Sequence, residues 1–267
     1  MNIFLFELKQ LRFSIIIWSL SLSVGLVFFM AFFPVFGSDA MAMEDLLAQY
    51  PEEFLAFFGM NSELPFTELM GYFALSYTFL MIPISVQTAN YGFHILSVEE
   101  RELTADFLLS KPISRATIYK AKLAAVVTTI LITDIVLFGM SFASLYLFSD
   151  GATVNVTGTW VFLASMFLFQ LFFLSVGMMI SVYVKKVSSV LAYSMSLGFG
   201  LYIVSSLGMM ISSDVLKILS PFSHFDPNYP FIHESMNFSR IWISIVVIVL
   251  SFIASYILYL RRNIKSL

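Results

Sequence analysis

The chain has 267 residues, of which 59% are hydrophobic and 12% are charged, and its net charge at pH 7 is −3. A soluble globular domain carries about 25% charged residues, so this composition excludes an ordinary soluble domain. The chain contains no cysteine, which excludes disulfides, thiolate catalysis and sites in which cysteine binds zinc or iron–sulfur clusters.

Six stretches of the sequence are apolar over about the 20 residues that a helix needs to cross a ~30 Å hydrocarbon layer. They are residues 14–36, 69–93, 123–148, 159–184, 187–211 and 241–260. The stretches are continuously apolar, whereas the strands of a membrane β-barrel alternate apolar and polar residues, so a barrel is excluded. The sequence therefore predicts an all-α membrane protein, with a single transmembrane domain over residues 1–267 and six transmembrane helices.

The segments around the first predicted span have local patterns of their own. Residues 1–13 mix apolar side chains with Glu7, Lys9 and Arg12, which indicates a short interfacial helix that then turns into the span. The first stretch is too long for a cleavable signal peptide and lacks a small-residue cleavage site. Two short helices are predicted in the loop that follows, and Pro51 precedes the second.

Basic residues are distributed unevenly between the two sides of the predicted domain. With both termini on one side, that side holds 12 of the 14 basic residues, and only Lys217 and Arg240 lie on the other. Basic loop residues face the cytoplasm in membrane proteins, so we predict cytoplasmic N and C termini. The last outer loop, residues 212–240, is rich in aromatic residues and prolines. Its composition is compatible with a segment that dips partway into the membrane where protein covers its backbone.

A charged segment, Ser97 to Lys122, separates the second and third predicted spans and carries nine charged residues. Within it, a short helix is expected to begin at Thr104 and to end before Pro112, because the residue before a proline is pushed out of helical geometry. Ser114 then caps the helix that continues into the third span. Such a helix suits either a surface element on the inner leaflet or a docking element for a partner. Its apolar residues are Phe107, Leu108 and Leu109.

The charged segment resembles the loop between the second and third spans of type-2 ATP-binding cassette (ABC) transporter permeases. That loop has an acidic patch, a turn, a pattern like T-x-x-x-L-L-x-x-P-[IV]-S-R, and a basic residue entering the next helix. The matching residues here are Glu99, Glu100, Thr104, Leu108, Leu109, Pro112, Ile113, Ser114, Arg115 and Lys122. Leu103 stands where the family usually has glycine. The resemblance extends to the six-span layout, the interfacial N-terminal helix and the Ser-Pro-Phe-x-x-Phe-Asp-Pro stretch at 220–227.

The resemblance implies an exporter-like permease subunit in the cell membrane, a bacterial plasma membrane, in contact with lipids and not with nucleic acid. It pairs with a second permease subunit, either an identical copy or a paralogue, and with two copies of a cytoplasmic ABC ATPase. ATP and Mg²⁺ bind to the ATPase, so this chain is expected to bind no cofactor and no metal and to catalyse no reaction. The absence of a G-x-x-x-x-G-K-[ST] motif agrees with that division of labour.

In this arrangement the short helix, at about Thr104–Ser110, fits a groove on the ATPase and passes its closure to the membrane helices. The residues expected to couple the two subunits are Glu99, Glu100, Thr104, Phe107, Leu108, Leu109, Pro112, Ser114 and Arg115.

Polar residues inside the predicted spans are further candidates for function. Asp134 lies near the middle of the third span, where a carboxylate costs about 2.5–3.5 kcal/mol to insert, so it is expected to face protein or water. It either contacts substrate or a proton in a cavity, or is protonated and bonded to a neighbouring helix. Gln87 and Asn90 share one face of the second span with His94. This face either lines a substrate path or holds helices together.

Two other classes of function stay open at this stage. Glu99 and Glu100, with His224 and His233 downstream, resemble part of the signature of CAAX-type intramembrane metalloproteases, although Thr104 stands where that signature has arginine. The predicted topology places the glutamates and histidines on opposite sides of the membrane, too far apart to share one metal ion. A non-catalytic membrane scaffold or immunity protein has the same composition and needs no ATPase.

Overall fold

The computed structural model describes residues 3–38, 40–60, 63–102, 113–184 and 186–262. The regular elements of this part of the chain are α-helices. In chain order they are α1 (Ile3–Met30), α2 (Phe33–Ser38), α3 (Ala40–Leu47), α4 (Glu52–Phe57), α5 (Leu69–Ile95), α6 (Val98–Arg101), α7 (Arg115–Phe148), α8 (Val156–Tyr183), α9 (Val190–Met210), α10 (Asp214–Leu219), α11 (Pro221–His224), α12 (Tyr229–His233) and α13 (Phe238–Arg261).

Six of these helices, α1, α5, α7, α8, α9 and α13, are long and apolar enough to cross a membrane. The prediction of an all-α, multi-pass membrane protein with six transmembrane helices is therefore confirmed. The helix of the third span, α7, begins at Arg115, directly after the predicted Ser114 cap, and contains 34 residues. At 1.5 Å per residue it is about 50 Å long, so it extends well beyond a hydrocarbon layer of about 30 Å.

Helices α5 and α8 form the centre of the bundle. They pack against each other, α9 packs on α5, α13 packs on α8, and α1 runs along α7. The two central helices cross where Gly92 faces Gly177. A Cβ atom on Gly92 would lie 2.5 Å from the carbonyl oxygen of Leu174, and one on Gly177 would lie 3.0 Å from that of Ala89. The absence of side chains lets the two backbones approach, as small residues do between membrane helices.

The N-terminal residues differ from the prediction. The sequence favoured a separate interfacial helix that turns into the first span, but α1 is one continuous helix from Ile3 to Met30, in which Glu7 and Leu11 are buried. Residues 3–24 contain neither glycine nor proline, so nothing in the local sequence breaks the helix. Packing along α7 then holds the first turns in line with the rest of α1.

Two loops at the end of the bundle away from Ile3 are themselves helical. The loop after the first span contains α3 and α4, the two short helices predicted there, and also α2. Helix α4 begins after Pro51 and carries Glu52 and Glu53 in its first turn, where negative charge favours the helix dipole.

The loop between the fifth and sixth spans returns into the bundle. The Ser220 hydroxyl donates a hydrogen bond of 2.7 Å to the carbonyl of Leu201, near the middle of α9. The ring of Phe222 packs on that of Phe169, near the middle of α8, with centroids 5.1 Å apart. All four residues of α11 are buried, so protein covers the backbone of the returning segment. This agrees with the expectation that residues 212–240 dip into the membrane domain.

The crossing of α5 and α8 predicts a specific effect of adding one methyl group. Gly92→Ala should lower the free energy of unfolding by about 1–3 kcal/mol, because the new methyl group meets backbone atoms that side-chain rotation does not relieve. Gly139→Ala and Gly200→Ala are matched controls, since a Cβ atom at either position meets nothing within 4 Å. Unfolding titrations of the purified protein in mixed micelles measure the difference, and equal stability of all three variants would contradict the close crossing.

Candidate functional site

One end of the bundle contains the first and last described residues, Ile3 and Arg262. It also contains the described residues on either side of the segment 103–112. We call it the charged end. Its ionic side chains, which we call the charged cluster, come from α1, α6 and α7 and from the residue that follows α13. They are Glu7, Glu99, Glu100, Arg115, Lys122 and Arg262.

Lys122 is the buried centre of the charged cluster. It lies in the second full turn of α7 and its side chain is 0% exposed. Its ammonium group is 2.8 Å from the carboxylate of Glu7 and also pairs with that of Glu99. It donates a hydrogen bond of 2.9 Å to the carbonyl of Ile95, the last residue of α5. All three N–H donors of the ammonium therefore have an acceptor, and α1, α5, α6 and α7 meet at one atom.

Arg262 makes a second junction beside the first. One guanidinium nitrogen is 2.6 Å from the carboxylate of Glu100. The other donates to the carbonyls of Ser181 and Val182, at 3.0 Å and 2.7 Å. These carbonyls belong to the last turn of α8, where no intrahelical donor remains for them. Arg262 thus joins the end of α13 to α6 and to the end of α8.

Arg115 and Ser114 fix the start of α7. The guanidinium of Arg115 donates to the carbonyl of Leu260 at 3.5 Å and to that of Arg262. The Ser114 hydroxyl accepts a hydrogen bond of 3.2 Å from the backbone N–H of Thr117, so the predicted N-cap is confirmed. Contacts with the spans therefore fix Glu99 and Glu100 before the segment 103–112, and Ser114 and Arg115 after it.

Part of the predicted coupling set lies outside the described residues. Of the coupling residues, the structure describes Glu99, Glu100, Ser114 and Arg115, and it brings all four to the charged end. The others, which lie outside the described residues, are Thr104, Phe107, Leu108, Leu109 and Pro112.

The predicted polar face of α5 makes packing contacts near the charged end. Gln87 is buried and donates to the hydroxyl of Tyr91 at 3.3 Å, and Tyr91 in turn shares a hydrogen bond of 3.0 Å with Ser14 on α1. His94 contacts the guanidinium of Arg101 at 2.8 Å through Nδ1, and Asn90 is partly buried.

Asp134 lies away from that face, between α7 and α8. The side-chain amide of Gln170 donates to its Oδ1 at 2.6 Å, and the residue is 5% exposed. The other oxygen, Oδ2, is buried without a hydrogen-bond partner among the described residues. About two helix turns further along α7, Ser141 shares a hydrogen bond of 2.6 Å with Tyr77 on α5. The contact with Gln170 is the interhelical bond that the sequence offered as one reading, and a role of Asp134 in a substrate path stays a prediction.

The histidines considered for a metal site are not brought to the glutamates. His224 is buried in the returning loop, where its Nδ1 contacts the Ser244 hydroxyl at 2.7 Å and its Nε2 contacts the Ile218 carbonyl at 3.0 Å. Glu99 and Glu100 pair with basic residues at the charged end instead.

Glu7 and Arg262 both complete the charged cluster, although the sequence placed Glu7 only in an interfacial helix and Arg262 only among the basic residues of the inner side. Glu7 carried a signal, because a carboxylate on a helix that is apolar on both sides needs a partner when it is buried. Arg262 carried none, because a basic residue directly after a span is normally explained by the membrane interface.

The chain matches a known protein family over nearly its whole length. The model of the family described as ABC-2 family transporter protein matches residues 1–264. The match therefore includes all six spanning helices and every residue of the charged cluster. No curated protein sequence matches the chain.

The burial of Lys122 predicts a large loss of stability when its charge is removed. Lys122→Met should lower the free energy of unfolding by about 3–5 kcal/mol, because it leaves the buried carboxylate of Glu7 and the partly buried one of Glu99 without this counter-charge. Lys120→Met is the matched control, since Lys120 is exposed two residues earlier on the same helix. Combining Lys122→Met with Glu7→Gln and Glu99→Gln should recover at least half of the loss. A stable Lys122→Met single variant in the same unfolding titration would contradict the buried junction.

The contact between Asp134 and Gln170 predicts different outcomes for two substitutions. Asp134→Asn keeps an acceptor for the Gln170 amide, so its stability should stay within about 1 kcal/mol of the parent protein. Asp134→Ala leaves that buried amide without an acceptor and should cost about 1–3 kcal/mol. Melting temperatures in detergent measure both changes. Equal melting temperatures of the two variants would show that the interhelical bond does not stabilise the bundle. Loss of transport in Asp134→Asn at normal expression would assign the carboxyl group to the substrate path.

Proposed function

The chain belongs to the ABC-2 family of transporter proteins, and on this premise we propose that it is the permease subunit of an ATP-driven exporter. It is a multi-pass membrane protein, and permeases of this family are membrane transport components that normally work with an ATP-binding subunit. In our proposal two cytoplasmic ATPase subunits bind ATP and Mg²⁺, while this chain binds no cofactor. A second permease subunit, an identical copy or a paralogue, completes the complex, and nucleic acid takes no part.

One observation carries the proposal: the charged cluster binds the residues on either side of the segment 103–112 to the membrane helices. Glu99 and Glu100 precede the segment and pair with Lys122 and Arg262, while Arg115 follows it and binds the end of α13. An element that docks on a moving partner transmits motion only if its base is rigidly connected to the parts that must move. The cluster is such a base, and five of the six spanning helices contribute to it or end at it.

The distribution of charge supports the orientation that coupling requires. With the charged end in the cytoplasm, 12 of the 14 basic residues face the cytoplasm. Helix α7 is also long enough to extend out of the membrane at this end, so its first residue, Arg115, can lie on the cytoplasmic side of the hydrocarbon layer. We place the complex in a bacterial plasma membrane, where the apolar outer faces of α1, α7, α9 and α13 contact lipid.

Substrate in this proposal moves between the two permease subunits, driven by closure of the ATPases. Gln87, Asn90 and Asp134 are the candidates for a path within the membrane. Their contacts in one subunit support a packing role at rest, because Gln87 binds Tyr91 and Asp134 binds Gln170.

The first test is to purify the tagged chain from its native membrane in mild detergent and to identify the proteins that accompany it. We expect a stoichiometric ATPase with a Walker motif, and ATP hydrolysis in the purified fraction. Absence of an ATPase at every detergent strength would overturn the proposal and favour a membrane scaffold or immunity protein.

The proposed docking helix predicts a separable loss of coupling. Phe107→Asp combined with Leu108→Asp should remove the ATPase from the purified complex, because a charged tip does not fit an apolar groove, while the chain stays in the membrane. Met41→Asp is the control, since Met41 is 83% exposed on α3, at the end of the bundle away from the charged cluster. Unchanged ATPase recovery with the double variant would refute the docking helix.

A further inference from the structure

The end of α13 contacts the chain on both sides of the segment 103–112. On the side that precedes the segment, the Arg262 guanidinium binds the carboxylate of Glu100 at 2.6 Å. On the side that follows it, the carbonyl of Arg262 accepts a hydrogen bond from Arg115. Arg262 therefore contacts the chain on both sides of residues 103–112: Glu100 through its side chain and Arg115 through its main chain.

The same guanidinium also binds the end of α8. Its other nitrogen donates to the carbonyls of Ser181 and Val182. A planar guanidinium has five N–H donors that point in fixed directions, so it reaches a carboxylate on one side and carbonyls on the other. A lysine has three donors on a single nitrogen and does not span both groups.

The two adjacent glutamates of α6 pair with basic residues that contact different spans. Glu99 pairs with Lys122, which also binds Glu7 on α1 and the last carbonyl of α5. Glu100 pairs with Arg262, which binds α8 and ends α13. Consecutive residues of a helix point about 100° apart, so two neighbouring side chains on α6 reach two separate partners.

We propose that Arg262 is a positioning residue that fixes α6 to the ends of α8 and α13, so that displacement of α6 is passed to the fourth and sixth spans. The proposal deepens the permease function and rests on it for its meaning in transport. The connection itself is a property of this chain alone. Lys122 makes the corresponding connection to the first and second spans, from a fully buried position. The Arg262 and Glu100 side chains are 16% and 24% exposed, so this second connection can be broken with less disturbance of the interior.

The connection can be measured by spin labels, because the chain contains no native cysteine to be removed. Glu102→Cys and Tyr183→Cys place labels on exposed residues just after α6 and at the end of α8. Double electron–electron resonance on the isolated chain in nanodiscs then reports the distribution of distances between the residue after α6 and the end of α8. We expect one narrow distribution in the parent protein.

Three substitutions are compared in this labelled background. Arg262→Lys and Glu100→Gln should each at least double the width of the distribution, because each breaks the link between α6 and α8. Glu100→Gln leaves the bonds from Arg262 to α8 in place, so it tests the link even if Arg262 variants unfold. Arg261→Ala is the matched control, since Arg261 is the adjacent exposed arginine, and should leave the width unchanged. Unchanged widths with both Arg262→Lys and Glu100→Gln would overturn the proposal.

A second readout separates this inference from the proposed function. In the complex with its ATPase, Arg262→Lys should change the rate of ATP hydrolysis at least threefold while the amount of ATPase recovered stays the same. Normal hydrolysis with a broadened distance distribution would show that Arg262 has no part in coupling and would overturn the proposal. If no ATPase accompanies the parent chain, the proposed permease function fails. The distance measurement then still decides whether Arg262 fixes α6 to α8.

Discussion

The buried ammonium of Lys122 is the interaction on which the charged end of the bundle depends. A cation with no exposure to solvent is stable only when opposite charges and acceptors surround it, and here Glu7, Glu99 and the carbonyl of Ile95 supply them. Each acceptor belongs to a different helix. Satisfying one ammonium therefore fixes the relative positions of α1, α5, α6 and α7 at this end.

The charged cluster combines two junctions of different burial. The Lys122 junction is buried and holds the first three spans, whereas the Arg262 junction is partly exposed and holds the fourth and sixth. Both pass through α6, where Glu99 and Glu100 are neighbours. A short helix with one carboxylate on each junction connects the chain before residue 103 to both sets of spans, as the proposed coupling to a separate ATPase requires.

The centre of the bundle has a different source of stability. Where α5 crosses α8, Gly92 and Gly177 let backbone meet backbone, and the contact is van der Waals packing over the close approach that glycine permits. The returning loop fills the space beyond, with Phe222 on Phe169 at mid-span. The interior is therefore held by packing of central helices, while the polar bonds that organise it concentrate at the charged end and at isolated pairs such as Asp134 with Gln170.

The sequence by itself determined the six spans, because a backbone in lipid must satisfy its hydrogen bonds within each segment and an apolar run of about 20 residues has one way to do so. It also indicated the family, since Glu99, Glu100, Ser114, Arg115 and Lys122 flank a single loop in a readable pattern. The tertiary structure alone decided the partners of these residues. Glu100 and Arg262 are 162 residues apart, and no periodicity encodes such a pair. The same packing made α1 continuous, because its first turns gain contacts along α7 that an interfacial helix lacks.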